Sequence, residues 1–101
     1  MTTMKYVEFR EWQNLIETFR KTLMEAQTHR DEKSQWIDNE LGWIIYEREV
    51  MFNLTNKERE KRGLNPITMQ NIKSCENSAC GHVDYTSKFS LYCAELAVGE
   101  M

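Results

Sequence analysis

The sequence predicts an all-α fold in a single domain over residues 1–101. Two observations predict it: apolar residues recur at helical spacing through the first half of the chain, and a helix-stop signal surrounds Gly63. Gly63 separates a long helical hairpin, within residues 1–62, from a two-helix part over 63–101, and the whole is expected to form a small helical bundle. The four helices are expected at about residues 6–28, 32–62, 66–80 and 85–98.

The first predicted helix carries one apolar stripe, whose members alternate at spacings of three and four residues. These members are Phe9, Trp12, Ile16, Phe19, Leu23 and Ala26. Such spacing places them on one face of an amphipathic helix. A single face needs a single neighbour, so we expect this helix to pack within the chain.

The second predicted helix carries two apolar arcs when its residues are placed at about 100° intervals. The broad arc contains Ile37, Leu41, Ile44, Ile45, Met51 and Phe52. The narrow arc, named the tryptophan arc, contains Trp36, Trp43, Val50 and Leu54, with Glu40 and Glu47 between the two arcs. Helix 1 is expected on the broad arc, and the tryptophan arc needs another partner. Either the two short helices cover it, or it forms a homodimer seam or docks a foreign protein, since tryptophan suits both roles.

The candidate partner-binding or dimer residues are therefore those of the tryptophan arc with the two intervening glutamates. They are Trp36, Glu40, Trp43, Glu47, Val50 and Leu54.

A polar stretch over residues 27–35 (QTHRDEKSQ) leaves two readings of the first half. A hairpin would turn near residues 28–33, where Asp31 and Ser34 are acceptable N-caps. A single helix over residues 6–62 would be roughly 85 Å long and would keep the heptad register. We favour the hairpin because it buries the aromatic residues within one chain.

The end of the second helix is the firmest boundary in the sequence. Lys61 and Arg62 precede Gly63, and Pro66 follows three residues later. Basic residues suit a last helical turn, glycine takes the left-handed cap conformation cheaply, and proline cannot continue the hydrogen-bond ladder.

The third and fourth helices are predicted from caps and apolar faces. Asn65 and Pro66 are expected as N-cap and first residue of a helix that stops at Gly81. Asp84 or Thr86 is expected to cap the last helix. The expected apolar faces are Met69, Ile72, Cys75 and Ala79 in the third helix, and Tyr85, Phe89, Tyr92, Cys93 and Leu96 in the fourth.

One cluster carries metal-ligand side chains: Cys75, Cys80, His82 and Cys93. Thiolates and imidazoles are the ligands that zinc takes in structural sites, but the usual C-x2-C knuckle is missing. Cys75 and Cys93 also fall on apolar helix faces, where cysteine behaves as a small hydrophobe. We therefore assign no metal and no cofactor, and keep zinc as an alternative.

No motif predicts catalysis. Cys80, His82 and Asp84 include the residue types of a nucleophile, base and orienter, but they are crowded into one turn. The chain has neither a glycine-rich phosphate loop nor an HExxH motif. We therefore expect a non-enzymatic protein.

Composition excludes further classes. The net charge of −3 gives no basic excess for nucleic acid, and no apolar stretch approaches the roughly 20 residues that span a membrane. The first residues, MTTMKYVEF, lack the apolar core of a signal peptide. We expect the three cysteines to be reduced thiols in a cytosol.

The run ACGHVDYTSKFSLYCAEL over residues 79–96 resembles a segment of small, mostly uncharacterised accessory proteins of tailed bacteriophages. The resemblance covers about the last third of the chain and brings no functional residue with it. It implies the cytoplasm of an infected bacterium. Small acidic phage proteins without a catalytic motif often act by binding, for example as inhibitors of host defence systems such as CRISPR.

The leading function is therefore a protein-binding module, a phage-encoded inhibitor or adaptor acting on a bacterial host protein, and expected to be a homodimer. Two alternatives stay open. One is a structural or assembly protein of the phage that forms a helical oligomer. The other is a zinc or small-ligand binding module built around the C-terminal turn.

Overall fold

The computed structural model describes residues 8–28 and 40–99, with side chains in the second range described from residue 45 onward. Within these residues the fold has four helices and no strand, which confirms the all-α prediction. The helices are α1 (Phe9–Thr28), α2 (Glu40–Lys61), α3 (Met69–Ala79) and α4 (Tyr85–Ala97).

Helices α1 and α2 run in opposite directions. Arg62, just after the end of α2, donates a 3.0 Å hydrogen bond to Glu11 in the first turn of α1, although 51 residues separate them in the chain. In one straight helix the same residues would stand about 75 Å apart. The pair therefore rules out a single helix over residues 6–62 and confirms the hairpin. The predicted turn, and the predicted helical residues 32–39, lie outside the described residues.

Helices α2 and α4 each pack against the other three helices, and α4 contributes the most completely buried residues of the described chain. Five residues of α4 are completely buried: Phe89, Ser90, Cys93, Ala94 and Ala97. The two alanines and the cysteine are small, so neighbouring backbones can approach closely. The core cluster consists of Leu15, Phe19, Leu23, Met51, Ile67, Ile72, Cys75, Ala79, Phe89, Cys93, Ala94, Leu96, Ala97 and Val98.

The apolar face of α1 is close to the predicted stripe but is displaced at its beginning. Phe19, Leu23 and Ala26 are buried as expected, and Leu15 joins them. The prediction for Phe9 is wrong, because this side chain is 74% exposed. Glu11 pairs with Arg62, just after the end of α2. Phe9 comes two residues before Glu11 and therefore extends past the end of α2, which cannot cover it.

Helix α2 turns an unusual row of residues toward the core. Met51, Thr55 and Arg59 recur every fourth residue and are all buried. Two residues of the tryptophan arc, Val50 and Leu54, are half-buried and pack against the core cluster. A helix with neighbours on several sides can bury both arcs along its C-terminal half.

The stop signal after α2 forms the predicted cap. Gly63 has a φ of 71°, in the left-handed region that favours glycine. The Leu64 N–H donates to the Arg59 carbonyl at 2.9 Å, and the Gly63 N–H donates to the Glu60 carbonyl at 3.1 Å. These two bonds define a Schellman motif, which satisfies carbonyls that the helix leaves without a partner.

Helix α3 begins later than the sequence predicts, and the prediction that Asn65 caps it is wrong. Thr68 is the N-cap, and its N–H and hydroxyl both donate to Asn71 Oδ1, at 2.9 and 3.1 Å. The reason lies in α2, where Asn56 accepts a 2.8 Å bond from the Ile67 N–H. Because the Ile67 N–H is bonded to Asn56 and the Ile67 side chain is buried in the core, residues 64–67 are held in a non-helical segment against α2, and the helix begins after them.

Arg59 is the most buried charge of the described residues, at 5% exposure. Its Nε donates to the Asn65 carbonyl at 2.6 Å, and its Nη1 donates to the Leu96 carbonyl in the last turn of α4. Burial lowers the pKa of Arg59, but a guanidinium remains protonated in proteins. A cation at a helix C-terminus is also favoured by the helix dipole.

We predict that Arg59→Met lowers the free energy of unfolding by about 3 kcal/mol, because the buried Leu96 carbonyl and the Asn65 carbonyl both lose a charge-assisted hydrogen bond. Arg62→Met is the matched control, since its ion pairs with Glu11 and Glu58 lie nearer the surface and should cost less than about 1 kcal/mol. Urea unfolding of both variants measures the difference. Equal losses would contradict the role given to Arg59.

Glu58 gives the fold a pH dependence. Burial by itself would raise its pKa, but hydrogen bonds from Arg62 and Lys61, together with their charges, lower the pKa below its ordinary value of 4.5. A carboxylate with a lowered folded-state pKa stabilises the fold above its unfolded pKa and loses that contribution as pH falls through the folded value.

We therefore predict that wild type is more stable than Glu58→Gln at neutral pH, and that this advantage disappears as pH falls below about 4.5. Urea unfolding of both proteins between neutral and acidic pH measures it. A difference that stays constant with pH would show that the carboxylate charge is not what stabilises this contact.

Candidate functional site

Two long-range contacts define one end of the bundle, named the Ile45 end. The Thr86 hydroxyl donates to Gln27 Oε1 at 3.2 Å, which joins the start of α4 to the end of α1. Arg48, in the N-terminal half of α2, pairs with Glu76 near the end of α3. The Ile45 end therefore contains the last turns of α1 and α3 and the first turns of α2 and α4.

Exposed apolar side chains are concentrated toward this end. Met24, Ile45 and Val83 are exposed there, Val83 completely, in the turn between α3 and α4. Phe9 is the exposed large apolar residue at the opposite end. These four are the exposed large apolar side chains of the described part of the chain.

Ile45 borders a groove between α2 and α3 with a volume of about 290 Å³. The groove extends along α3 away from the Ile45 end to Met69, the first residue of α3, which supplies a second apolar wall. Arg48, Glu49 and Lys73 supply the charged rim. Ile45 is 46% exposed, so half of a large aliphatic side chain meets solvent beside this groove. An apolar centre with a rim of both charge signs is the usual anatomy of a protein-binding surface.

The ion pair between Arg48 and Glu76 holds one side of this groove. Arg48 Nε and Nη2 donate to the same oxygen, Glu76 Oε1, at 3.0 and 2.6 Å. The two side chains are 22% and 11% exposed. A charge this deeply buried is costly without its partner, so the pair fixes α2 against α3.

Tyr85 lies close to this ion pair. Burial, with the negative charges of Glu76 and Glu47, raises its pKa above the ordinary value for a phenol. Its ring packs on Phe89 at a centroid distance of 5.7 Å, with the two planes tilted by 39°. Tyr85 therefore stays neutral at physiological pH and keeps its O–H as a hydrogen-bond donor.

The structure describes half of the partner-binding residues predicted from the sequence. Trp36 lies outside the described residues, as do the side chains of Glu40 and Trp43. Glu47 is half-buried, and Val50 and Leu54 face the core rather than open solvent. Sequence reasoning missed the exposure of Ile45, which it had placed on the broad arc with buried residues. Val83 lies between Gly81 and Asp84 in a predicted turn. An apolar residue in a turn is a sequence signal from which the exposed apolar surface at this end could have been predicted.

The four residues of the zinc alternative do not converge. Cys75 and Cys93 are buried where α3 meets α4, whereas Cys80 and His82 are exposed in the turn between them. Across residues 8–28 and 40–99, no group of three or more histidine, cysteine or acidic side chains could hold a metal ion. The helix faces separate these residues, because Cys75 and Cys93 serve as core side chains.

Cys75, Cys93 and Thr55 bring polar atoms into the core. Cys75 and Cys93 belong to the same core cluster, on the packed helices α3 and α4, and Thr55 of α2 is completely buried. The hydrogen bond from Cys93 lowers the pKa of Cys75, while the same bond and burial raise the pKa of Cys93. Within the described residues, the buried Thr55 Oγ1 lacks a hydrogen-bond partner of ordinary geometry.

Comparisons with protein-family models, curated proteins and solved structures found no match for this chain. Within the described residues, each helix is too short or too polar to cross a membrane. Inference about function therefore rests on the residues of the chain itself.

We predict that Thr55→Val raises the free energy of unfolding by about 1 kcal/mol, because it replaces a buried, unsatisfied hydroxyl with a methyl group of similar shape. Thr55→Ser is the control that keeps the hydroxyl and removes the methyl group, and it should be destabilising. Urea unfolding distinguishes them. A loss of stability in Thr55→Val would instead mean that the hydroxyl makes a useful bond to Cys93.

Proposed function

We propose that this chain is a non-enzymatic protein-binding module, a phage-encoded inhibitor or adaptor that engages a bacterial host protein through the Ile45 end. The observation that carries the proposal is the exposed Ile45 beside the groove that Met69, Arg48, Glu49 and Lys73 complete. Helix α2 thus offers an apolar anchor on a rigid element, which is how proteins present a binding residue at low entropic cost.

The rim of the groove supports a protein partner over a small apolar ligand. Glu49 and Lys73 bring opposite charges to the two sides of the groove, and Arg48 is already paired with Glu76. Mixed charges around an apolar centre select a partner and fix its register more than they add affinity. Burying an isoleucine side chain contributes about 1.5–3 kcal/mol.

The tryptophan arc is a second candidate surface, on a different face of α2 from Ile45 by helical register. Trp43 precedes Ile45 by two residues in the sequence, Glu40 is the first residue of α2, and Trp36 precedes Glu40 by four residues. We keep Trp36, Glu40, Trp43 and Glu47 as partner-binding or dimer residues on the sequence argument. The burial of Val50 and Leu54 against the core favours the N-terminal half of α2 as the binding part.

The source of the partner follows from the resemblance of residues 79–96 to tailed-phage proteins. If the chain is a phage protein of this kind, its place of action is the host cytoplasm, and inhibition of a defence system such as CRISPR is the form of the function that we favour. The partner is then a host protein with an apolar pocket for Ile45. A second copy of this chain is the competing occupant.

We predict that Ile45→Glu weakens partner binding at least tenfold, since losing the burial of one isoleucine removes about 1.5–3 kcal/mol. Phe9→Glu is the matched control: it makes the same kind of change at an exposed position at the other end of the bundle. Wild type and both variants are used for affinity capture from a bacterial lysate, with native mass spectrometry of each purified protein. Both variants should keep the wild-type melting temperature because both positions are exposed.

The outcomes separate the alternatives. Loss of one stoichiometric host protein with Ile45→Glu, and its retention with Phe9→Glu, supports the proposal. Equal capture by all three proteins excludes the Ile45 end as the interface. A wild-type dimer that Ile45→Glu converts to a monomer, without a captured host protein, favours the assembly alternative. Trp43→Glu then tests the tryptophan arc: lost binding with an intact fold includes it, and unfolding places Trp43 in the core.

A further inference from the structure

We propose that the groove beside Ile45 takes helix α1 of a second copy of this chain, so that the protein associates with itself. The surface of α1 that enters the groove is named the outer stripe and consists of Gln13, Glu17, Arg20 and Met24, all of them exposed. Two observations carry the proposal. The charges of both surfaces lack partners within the chain, and the order of residues along one surface complements the order along the other.

The outer stripe follows one face of α1. Its members recur every three or four residues, which is the spacing of neighbours on a helix surface. Met24 is 48% exposed at the Ile45 end. Phe19 and Leu23, on the other side of α1, are completely buried in the core. Because these residues fix the orientation of α1, the outer stripe points away from its own bundle and is available to another molecule.

The packing of α2 against α3 sets the order of residues along the groove. The two helices run in opposite directions, since the ion pair described above joins the N-terminal half of α2 to the end of α3 and makes its two positions level. With a rise of 1.5 Å per residue, Glu49, Lys73 and Met69 then lie about 6, 9 and 15 Å along the groove from Ile45. From the Ile45 end, the groove is therefore apolar, acidic, basic and apolar in turn.

The outer stripe has the complementary order. Counted from Met24 with the same rise, Arg20, Glu17 and Gln13 lie about 6, 10 and 16 Å along α1. The stripe is therefore apolar, basic, acidic and polar in turn. The half-buried Ile16 borders its far end and adds apolar surface there.

Placing Met24 on Ile45 brings each charge of the stripe level with the opposite charge of the groove, to within about 2 Å along the axis. The two charge pairs formed between copies are Arg20 with Glu49 and Glu17 with Lys73. If the incoming helix ran in the other direction, each charge would meet one of its own sign. The charges therefore fix both the position and the direction of the second copy.

These four charges are available for such pairing. Among the described residues, the ion pairs within one copy use other side chains. An exposed ion pair contributes little by itself, but two pairs flanking an apolar contact select the partner and its register. Because the stripe and the groove are different surfaces, two copies close into a dimer if both contacts form at once, and otherwise the contact continues into longer oligomers.

Self-association and host binding use the same groove, so a second copy shields Ile45 until a host protein displaces it. This competition rests on the function proposed above, whereas the contact between copies does not. Arg20 lies in the outer stripe and outside the groove. A substitution there separates the two kinds of binding.

The experiment measures association of the purified full-length chain by sedimentation velocity over a range of concentrations. Wild type is compared with Arg20→Glu, with Glu49→Arg and with the protein carrying both changes. Each single change should raise the dissociation constant at least about fivefold, because an opposite-charge pair becomes a like-charge pair. The double variant should return to within about twofold of wild type, because it restores the pair with its signs exchanged.

Lys57→Glu is the matched control. It changes the net charge as Arg20→Glu does, at an exposed position of α2 outside the groove, and should leave association unchanged. All these positions are exposed, so each variant should keep the wild-type melting temperature.

Three results would overturn the proposal: a wild type that stays monomeric, single changes without effect on association, and a double variant that associates no better than the single ones. Affinity capture with Arg20→Glu then keeps this inference apart from the host-binding function. A monomeric Arg20→Glu that still captures the host protein supports both. Loss of association in Arg20→Glu, with no host protein captured even by wild type, overturns the host-binding function and supports the contact between copies.

Discussion

The bond between the Arg59 guanidinium and the end of α4 is the contact on which the rest of this fold depends. Leu96, Ala97 and Val98 are buried, so the last carbonyls of α4 are largely shielded from water. A buried helix end without polar partners is costly. Arg59 donates to Leu96 and to Asn65, so one side chain joins α2, the loop after it and α4. Because α4 contacts every other helix, fixing its end fixes the bundle.

Placing α4 at the centre also explains the chemistry of the core. A central helix must be approached closely from several sides, and Cys93, Ala94 and Ala97 are small enough to allow this. The same core contains Cys75 of α3 and the completely buried Thr55 of α2. Polar atoms in an apolar core cost stability unless they form hydrogen bonds.

The two ends of the bundle differ in how well their residues are paired. At the opposite end of the bundle, near Arg59, a connected set of ion pairs neutralises the charged side chains. Its members are Glu11, Glu58, Lys61 and Arg62. At the Ile45 end, Met24, Ile45 and Val83 are exposed. Exposed apolar side chains reduce the net gain from folding, and contact with a partner recovers that free energy. This difference is why we place binding at the Ile45 end.

The sequence determined the features that depend on local chain chemistry. Helical spacing predicted the faces of α1, α3 and α4, and the basic residues before Gly63 predicted the end of α2. Only the tertiary structure decided that Ile45 is exposed, that Arg59 is buried, and that α3 begins after Ile67. Each of these depends on contacts between residues far apart in the chain. Periodicity assigns a side chain to a helix face, but the neighbour that meets that face determines whether it is core or surface.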